Sequence, residues 1–438
     1  MELFVQEHLT IDKILASEIK RLDEIGINTD ESKIRLEKVV QSGNLKDHQE
    51  ALWVELEVLA KNHGKLTEPS DWDSIQTLLN QSRQMGPISF DQDFLQDRIQ
   101  GAWLGRSAGC TLGKPVEGWP QKDIQRYLDA AGAYPLTSYI PLYTSEMKLK
   151  NNFHETTLGN INFMSRDDDI DYTILGLHIL ETYGRNFSSS DVAFTSISNL
   201  PYGLIYTAEA LAYKNVINGI LPPLSASYRN PYQEWIGAQI RADMWGYVNP
   251  GNPASAAEMA FRDASYTHTM NGIYGEMWAA ACIAAAFNEN DILEIINFGL
   301  EQIPPQSRIS RAIRETITWS EQTSDWYEVW EKIQAHYGHY NTFHVIPNTC
   351  VIVMGLLIGA GDFEKSICTT VMAGGDTDCT AATVGSILGV IKGSQKLPGE
   401  WIEPLNDRVK SIIIGFHDGK ISDLANRTVE LIGKNQRD

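Results

Sequence analysis

The chain has 438 residues, 43% of them hydrophobic, and sets 36 Lys+Arg against 56 Asp+Glu for a net charge of -20. That length accommodates two or three domains, or one large domain with an appendage, and the apolar content excludes a disordered chain. The acidic balance repels phosphate backbones and anionic lipid, so general binding to nucleic acid or membranes is excluded while a locally held anion is not.

Five cysteines (Cys110, Cys282, Cys350, Cys368 and Cys379), odd in number and never spaced CxxC, argue against a zinc ribbon or a disulfide framework and for a reducing cytoplasm. The first fifteen residues carry charge throughout and lack the apolar run of a signal peptide. The most apolar stretch, 345–361, contains Pro347 and Asn348 and is short for a membrane span. The expectation is a soluble cytoplasmic protein.

Residues 1–90 read as a helical appendage. Ile11, Leu15, Ile19, Leu22 and Ile25 recur at helical spacing, as do Leu52, Leu56 and Leu59 with Trp53. Ser70 and Asp73 have the spacing of a capping box ahead of Ile75, Leu78 and Leu79. The plain reading is a helical hairpin covering the main body, the sharper one a grip for a protein partner. No catalytic constellation appears there.

From Arg98 the composition changes. Gly101, Gly105, Gly109 and Gly113 fall every fourth residue and line one helical face. Arg98 and Arg106 argue against a membrane seam, so the stripe predicts close approach of a second soluble helix. Ala381, Gly385 and Gly389 form the matching stripe, and their pairing would bring Glu117 beside the loop that precedes them. The competing reading of Glu117 is an exposed residue after the Lys114-Pro115 turn.

The next signal is Arg166-Asp167-Asp168-Asp169-Ile170-Asp171, opening an apolar helix that stops near Gly184. Acids at a helix start gain only ~0.3–1 kcal/mol each from the dipole, and their mutual repulsion offsets part of it. A divalent cation explains so many clustered oxygens better. Asp171 shares a face with Asp167 at i, i+4, which leaves the register of this cluster open. Residues 230–287 read as helical and rich in small side chains, with His268 either capping a helix or touching a ligand. Residues 308–340 read as surface helices. Period-two alternation is scarce, so the body is expected to be all-α.

Near the C-terminus, Gly374-Gly375-Asp376-Thr377-Asp378-Cys379-Thr380 places two carboxylates behind a glycine pair at another helix start. Hard oxygens and exposed N–H groups suit a cation and an anion respectively. A capping Asp is the bland alternative. No P-loop or HExxH pattern is present.

From Arg98 onward the chain resembles the ADP-ribosylglycohydrolase family, on five stretches in order: GAWLGRSAGCTLGKPVEG, DDDIDYT, GAQIRAD, YTHT with GIYGE, and GGDTDCTAATVGSILG. The resemblance implies a compact orthogonal multi-helix all-α fold, with 1–90 as appendage and 91–438 as catalytic domain. It implies two Mg²⁺ ions (Mn²⁺ the alternative) and cleavage of the C1 bond of ADP-ribose to a protein side chain, arginine favoured. Its metal motifs fall on Asp167, Asp168 and Asp169, and on Asp376 and Asp378. Glu117, Asp168 and Asp378 take the catalytic positions. Gly237, Ala238 and Gln239 match a phosphate-binding stretch, joined by Gly374, and His268 matches a ligand-binding histidine. Two departures stand out: Asp167 replaces a usual Thr, and Cys379 replaces a Thr whose hydroxyl coordinates, leaving Thr380 or water to substitute. The partner implied is ADP-ribose or an ADP-ribosylated protein. The rival readings are hydrolysis of a free nucleotide or other ribosyl compound, and an immunity or regulatory protein acting through its N-terminal helices.

Overall fold

The computed structural model describes residues 6–62, 68–79, 83, 85, 91–143, 149 and 154–434. Among them the regular structure is helical, apart from one antiparallel pairing of Arg408–Lys410 with Asp418–Lys420. No helix among them is long and apolar enough to cross a membrane.

The N-terminal segment forms three helices, Ile11–Glu24, Asp30–Gln41 and Leu45–Asn62, one more than the predicted hairpin. Leu15, Ile19, Leu22, Leu52, Trp53 and Leu56 are buried at the predicted periodicity. They form a small core completed by Ala208, Leu211 and Tyr232 of the body. The predicted capping box is not what starts the next helix, Trp72–Leu78. Asp71 caps it by accepting from the Ser74 N–H at 2.9 Å, because the Ser70 hydroxyl is taken by the Met270 N–H at 3.0 Å. Glu68 straps the same segment down: the Arg308 guanidinium donates to it at 2.7 and 2.9 Å, and to Glu234 at 2.6 Å.

The glycine stripe does what its spacing predicts. Helix Gln92–Gly113 lies against helix Thr377–Lys392, so that a Cβ at Gly101, Gly105 or Gly109 would run into the backbone of Gly389, Gly385 or Ala381. Only hydrogen at those positions permits such an approach. Around this pair stand two largely buried helices, Asn271–Ala285 and Val345–Gly359. Amphipathic helices cover them; Arg308–Gln322, predicted as a surface helix, turns Ile309, Ala312 and Ile313 inward. The stretch expected to be helical around Gly237 is mostly not: between 230 and 242 only Gln239–Arg241 makes a short 3₁₀ turn. Buried polar side chains from that stretch, Glu234 and Arg241 foremost, hold its backbone instead.

Candidate active site

The glycine helix carries a second stripe, displaced by one residue from the first: Arg106, Cys110 and Lys114. Residues four apart share a face, and this face meets the start of helix Asp168–Tyr183. Arg106, wholly buried, donates to the Asp169 carbonyl at 2.8 Å and carboxylate at 3.0 Å, and pairs with Asp243 at 2.6 Å. Lys114 donates to the Arg166 carbonyl at 2.8 Å and is ion-paired with Asp167. Sequence reasoning overlooked both cations, although their spacing was there to read.

The register of the first acidic cluster is settled by hydrogen bonds. Asp167 caps the helix, accepting from the Asp169 N–H at 3.0 Å. Asp171 turns elsewhere, accepting from Ser411 Oγ at 2.7 Å, the Ile412 N–H at 3.0 Å and Arg166 Nε at 2.7 Å. It anchors the C-terminal segment, which leaves Asp167, Asp168 and Asp169 for the cleft.

The second cluster is aimed by its glycines. Gly374 and Gly375 have φ of 76° and 85°, a region that side chains disfavour. The Gly118 N–H donates to the Gly375 carbonyl at 2.9 Å, and the Gly375 N–H to the Trp119 carbonyl at 3.1 Å. This bridge fastens the backbone just after Glu117 to the backbone just before Asp376. Asn348 Oδ1 accepts from the Asp376 N–H at 3.3 Å. Thr380 spends its hydroxyl on the Asp376 carbonyl at 2.8 Å, so Cys379 is the residue that faces the acids: its thiol donates to Asp169 Oδ2 at 3.1 Å. Two segments some 210 residues apart therefore meet. Ligand atoms of Cys110, Asp167, Asp169 and Asp378 lie within 4.8 Å of one another, as do those of Asp376, Asp378 and Cys379.

Electrostatics follow from this crowding. Burial, then Asp167, pushes the Asp168 carboxyl up to about 7 and the Asp378 carboxyl up to about 6. Asp378 and then burial push the half-buried Glu117 well above the usual carboxylate range. Burial, Asp378 and Glu117 do the same to Asp376. Asp167 alone moves down: burial opposes its charge, but Lys114 outweighs burial. Excess negative charge in a dry site is relieved by a cation. The donor set passes that test, because the buried Asp378 Oδ1 has no hydrogen-bond partner among the described residues.

The remaining predicted residues gather around a different cation. Arg241, 4% exposed, donates to Glu209 at 2.7 Å, Asp263 at 2.6 Å and Thr267 Oγ1 at 2.9 Å, with Glu276 at 3.8 Å. His268 belongs to this knot through Thr267 Oγ1 at 2.7 Å. Burial, then Arg241, lowers its pKa well below the usual value, so it is neutral. Its buried Nε2 has no hydrogen-bond partner among the described residues. The Glu209 carboxylate backs Gly237, where a Cβ would collide with it. Ala238 is wholly buried, and Gln239 donates inward to Thr349 Oγ1 at 3.0 Å. Tyr172, one turn beyond Asp168, lies between the two centres, with Arg241 over its ring at 5.6 Å.

A cavity of about 470 Å³ opens beside Gly374 and Gly375, walled by Trp119, Trp330, Tyr340 and Asn348, a size that suits a small organic ligand.

Comparison with known proteins fits this geometry. A family model described as ADP-ribosylglycohydrolase matches residues 91–438. A curated protein of Archaeoglobus fulgidus described as uncharacterized is 24% identical over 322 residues, covering 72% of this chain and 93% of its own. A solved structure titled "ADP-ribosylglycohydrolase-related protein complex" aligns with a TM-score of 0.52 at 16% identity, over 78% of this chain and 99% of that one. It shows a shared fold.

Proposed function

The chain belongs to the ADP-ribosylglycohydrolase family, a family of metal-dependent glycosidic hydrolases, and from that membership we infer that its acidic cleft releases ADP-ribose from a modified protein side chain, arginine favoured. One observation carries the reading: two acidic helix starts, distant in sequence, converge with Glu117 beside them. Residues 91–438 are the catalytic domain in this reading and residues 1–90 an appendage.

When bound, a divalent cation, Mg²⁺ on the family resemblance, supplies Lewis-acid binding of the vicinal hydroxyls of the terminal ribose. Asp376 and Asp378 would hold it, with Asp168 at its edge. Glu117 is the proton carrier: it is half-buried, has no hydrogen bond to another side chain among the described residues, and its raised pKa lets it hold a proton near neutrality. Asp168, also half-buried and raised to about 7, is the second group able to orient water against C1. Cleavage of this kind passes through an oxocarbenium-like state, which surrounding carboxylates stabilise. The proposed diphosphate seat is His268 Nε2 with the backbone at Gly237, bordered by Gly374, whose own N–H is donated to the Val371 carbonyl at 3.1 Å.

The test is product analysis by mass spectrometry on ADP-ribosyl-arginine, ADP-ribosyl-serine, nucleic-acid-linked ADP-ribose and small ribosyl compounds, each with Mg²⁺, Mn²⁺ or EDTA. Free ADP-ribose from the arginine substrate, abolished by EDTA, is the expected result. Turnover confined to small ribosyl compounds would replace this reading with its rival, and no turnover of any substrate would end both.

A further inference from the structure

Six carboxylates face the cleft, but the chain's own cations do not treat them equally. Lys114 sits on Asp167, and Arg106 sits on Asp169. Cys379 donates its thiol to the other oxygen of Asp169. The group built from Cys110, Asp167, Asp169 and Asp378 therefore already has an ammonium and a guanidinium against it. The group built from Asp376, Asp378 and Cys379 makes no ion pair within 4 Å among the described residues, although Lys114 acts at longer range on Asp378, which the two groups share; Asp378 Oδ1, in a residue 3% exposed, is without a hydrogen-bond partner among those residues.

We propose that the Lys114 ammonium occupies one of the two cation seats of the cleft, so that the protein holds a single divalent ion, on Asp376, Asp378 and the Cys379 sulfur. This rests on the proposed metal-dependent reading of the site, and it departs from the pair of Mg²⁺ ions that the sequence resemblance implies. Two considerations drive it. A second dication beside Asp167 would have to displace or closely approach a buried, oppositely paired lysine, and like charges at such range in a dry site repel strongly. Two carboxylates plus a thiol are also a mixed donor set: sulfur is a poor ligand for Mg²⁺ and a good one for borderline ions. Binding releases the thiol proton to solvent as the sulfur–metal bond forms. The ion expected is accordingly Co²⁺ or Zn²⁺ in preference to Mg²⁺ or Mn²⁺.

The experiment strips the full-length protein with a chelator and titrates it separately with CoCl₂, MnCl₂ and MgCl₂. It reads stoichiometry by calorimetry and by elemental analysis after desalting. The expected result is one ion per chain and Co²⁺ bound at least ~10-fold tighter than Mg²⁺. The cobalt protein should show a near-ultraviolet thiolate-to-cobalt charge-transfer band, which Cys379→Ser removes. Lys114→Gln should raise the stoichiometry towards two. Two ions in the unaltered protein, or a cobalt spectrum without that band, overturns the proposal, and both readings are available even where a variant fails to fold. Hydrolysis is scored apart from binding. Two bound Mg²⁺ ions with active release of ADP-ribose would sink this inference alone; one thiol-bound Co²⁺ without release of ADP-ribose would sink only the proposed function.

Discussion

The acidic cleft and the Arg241 knot are both buried collections of carboxylates around cations, yet they differ in who supplies the positive charge. In the knot a single guanidinium reaches Glu209 and Asp263 directly and Glu276 at longer range. In the cleft, Lys114 and Arg106 serve Asp167 and Asp169, leaving Asp376, Asp378, Asp168 and Glu117 to repel one another. The knot's guanidinium is hydrogen-bonded to two of its carboxylates, with Glu276 Oε2 unpartnered among the described residues, whereas Asp376 and Asp378 of the cleft make no ion pair there; a buried carboxylate left short of positive charge is a place for a ligand.

The contrast is best broken from the knot. Arg241→Met would strand buried carboxylates and should cost ~3–5 kcal/mol of stability, measured by denaturant unfolding. In the cleft the same logic predicts the opposite partition. Asp376→Asn should lower turnover ~10³-fold, equivalent to several kcal/mol of lost transition-state stabilisation. The melting temperature of the metal-stripped protein should stay unchanged or rise, because a repulsive charge is gone.

A pH titration sharpens the point at the Glu68–Arg308–Glu234 strap. Burial raises the Glu234 pKa, but Arg308 outweighs it and brings the group from 4.5 down to about 2. A depressed carboxylate contributes stability that is fully present above its unfolded value and is lost as pH falls through the folded one. Glu234→Gln should therefore flatten the stability profile between about pH 4.5 and 2, by up to ~3 kcal/mol, as followed by acid unfolding. The smallest effect is expected at the seam between the two glycine-bearing helices. Gly105→Ala forces a methyl group against the Gly385 carbonyl and should cost ~1–3 kcal/mol in thermal unfolding, with activity reduced only as far as the shifted helix moves Asp378.

Much of this was legible before any coordinates. The four-residue glycine spacing named its partner helix, since a stripe without side chains has one use in a soluble protein, and Ala381, Gly385 and Gly389 carry the complementary stripe. The middle N-terminal helix, Asp30–Gln41, escaped notice because it buries little: Ser32 and Leu36 are its buried residues, too few to show a period. Ser70 was misread as a cap because its hydroxyl is claimed by Met270, two hundred residues away. Asp171 could not be sorted from its neighbours by spacing, since Ser411, Ile412 and Arg166 decide where it points.

Periodicity and residue type alone determined the helical body, the close-packed seam and the presence of two acidic helix starts, because those are local properties of a chain with 3.6 residues per turn. Tertiary structure decided which acids remain short of positive charge. A carboxylate's fate depends on the cation across from it, and Lys114 and Arg106 stand more than fifty residues from Asp167 and Asp169 along the chain.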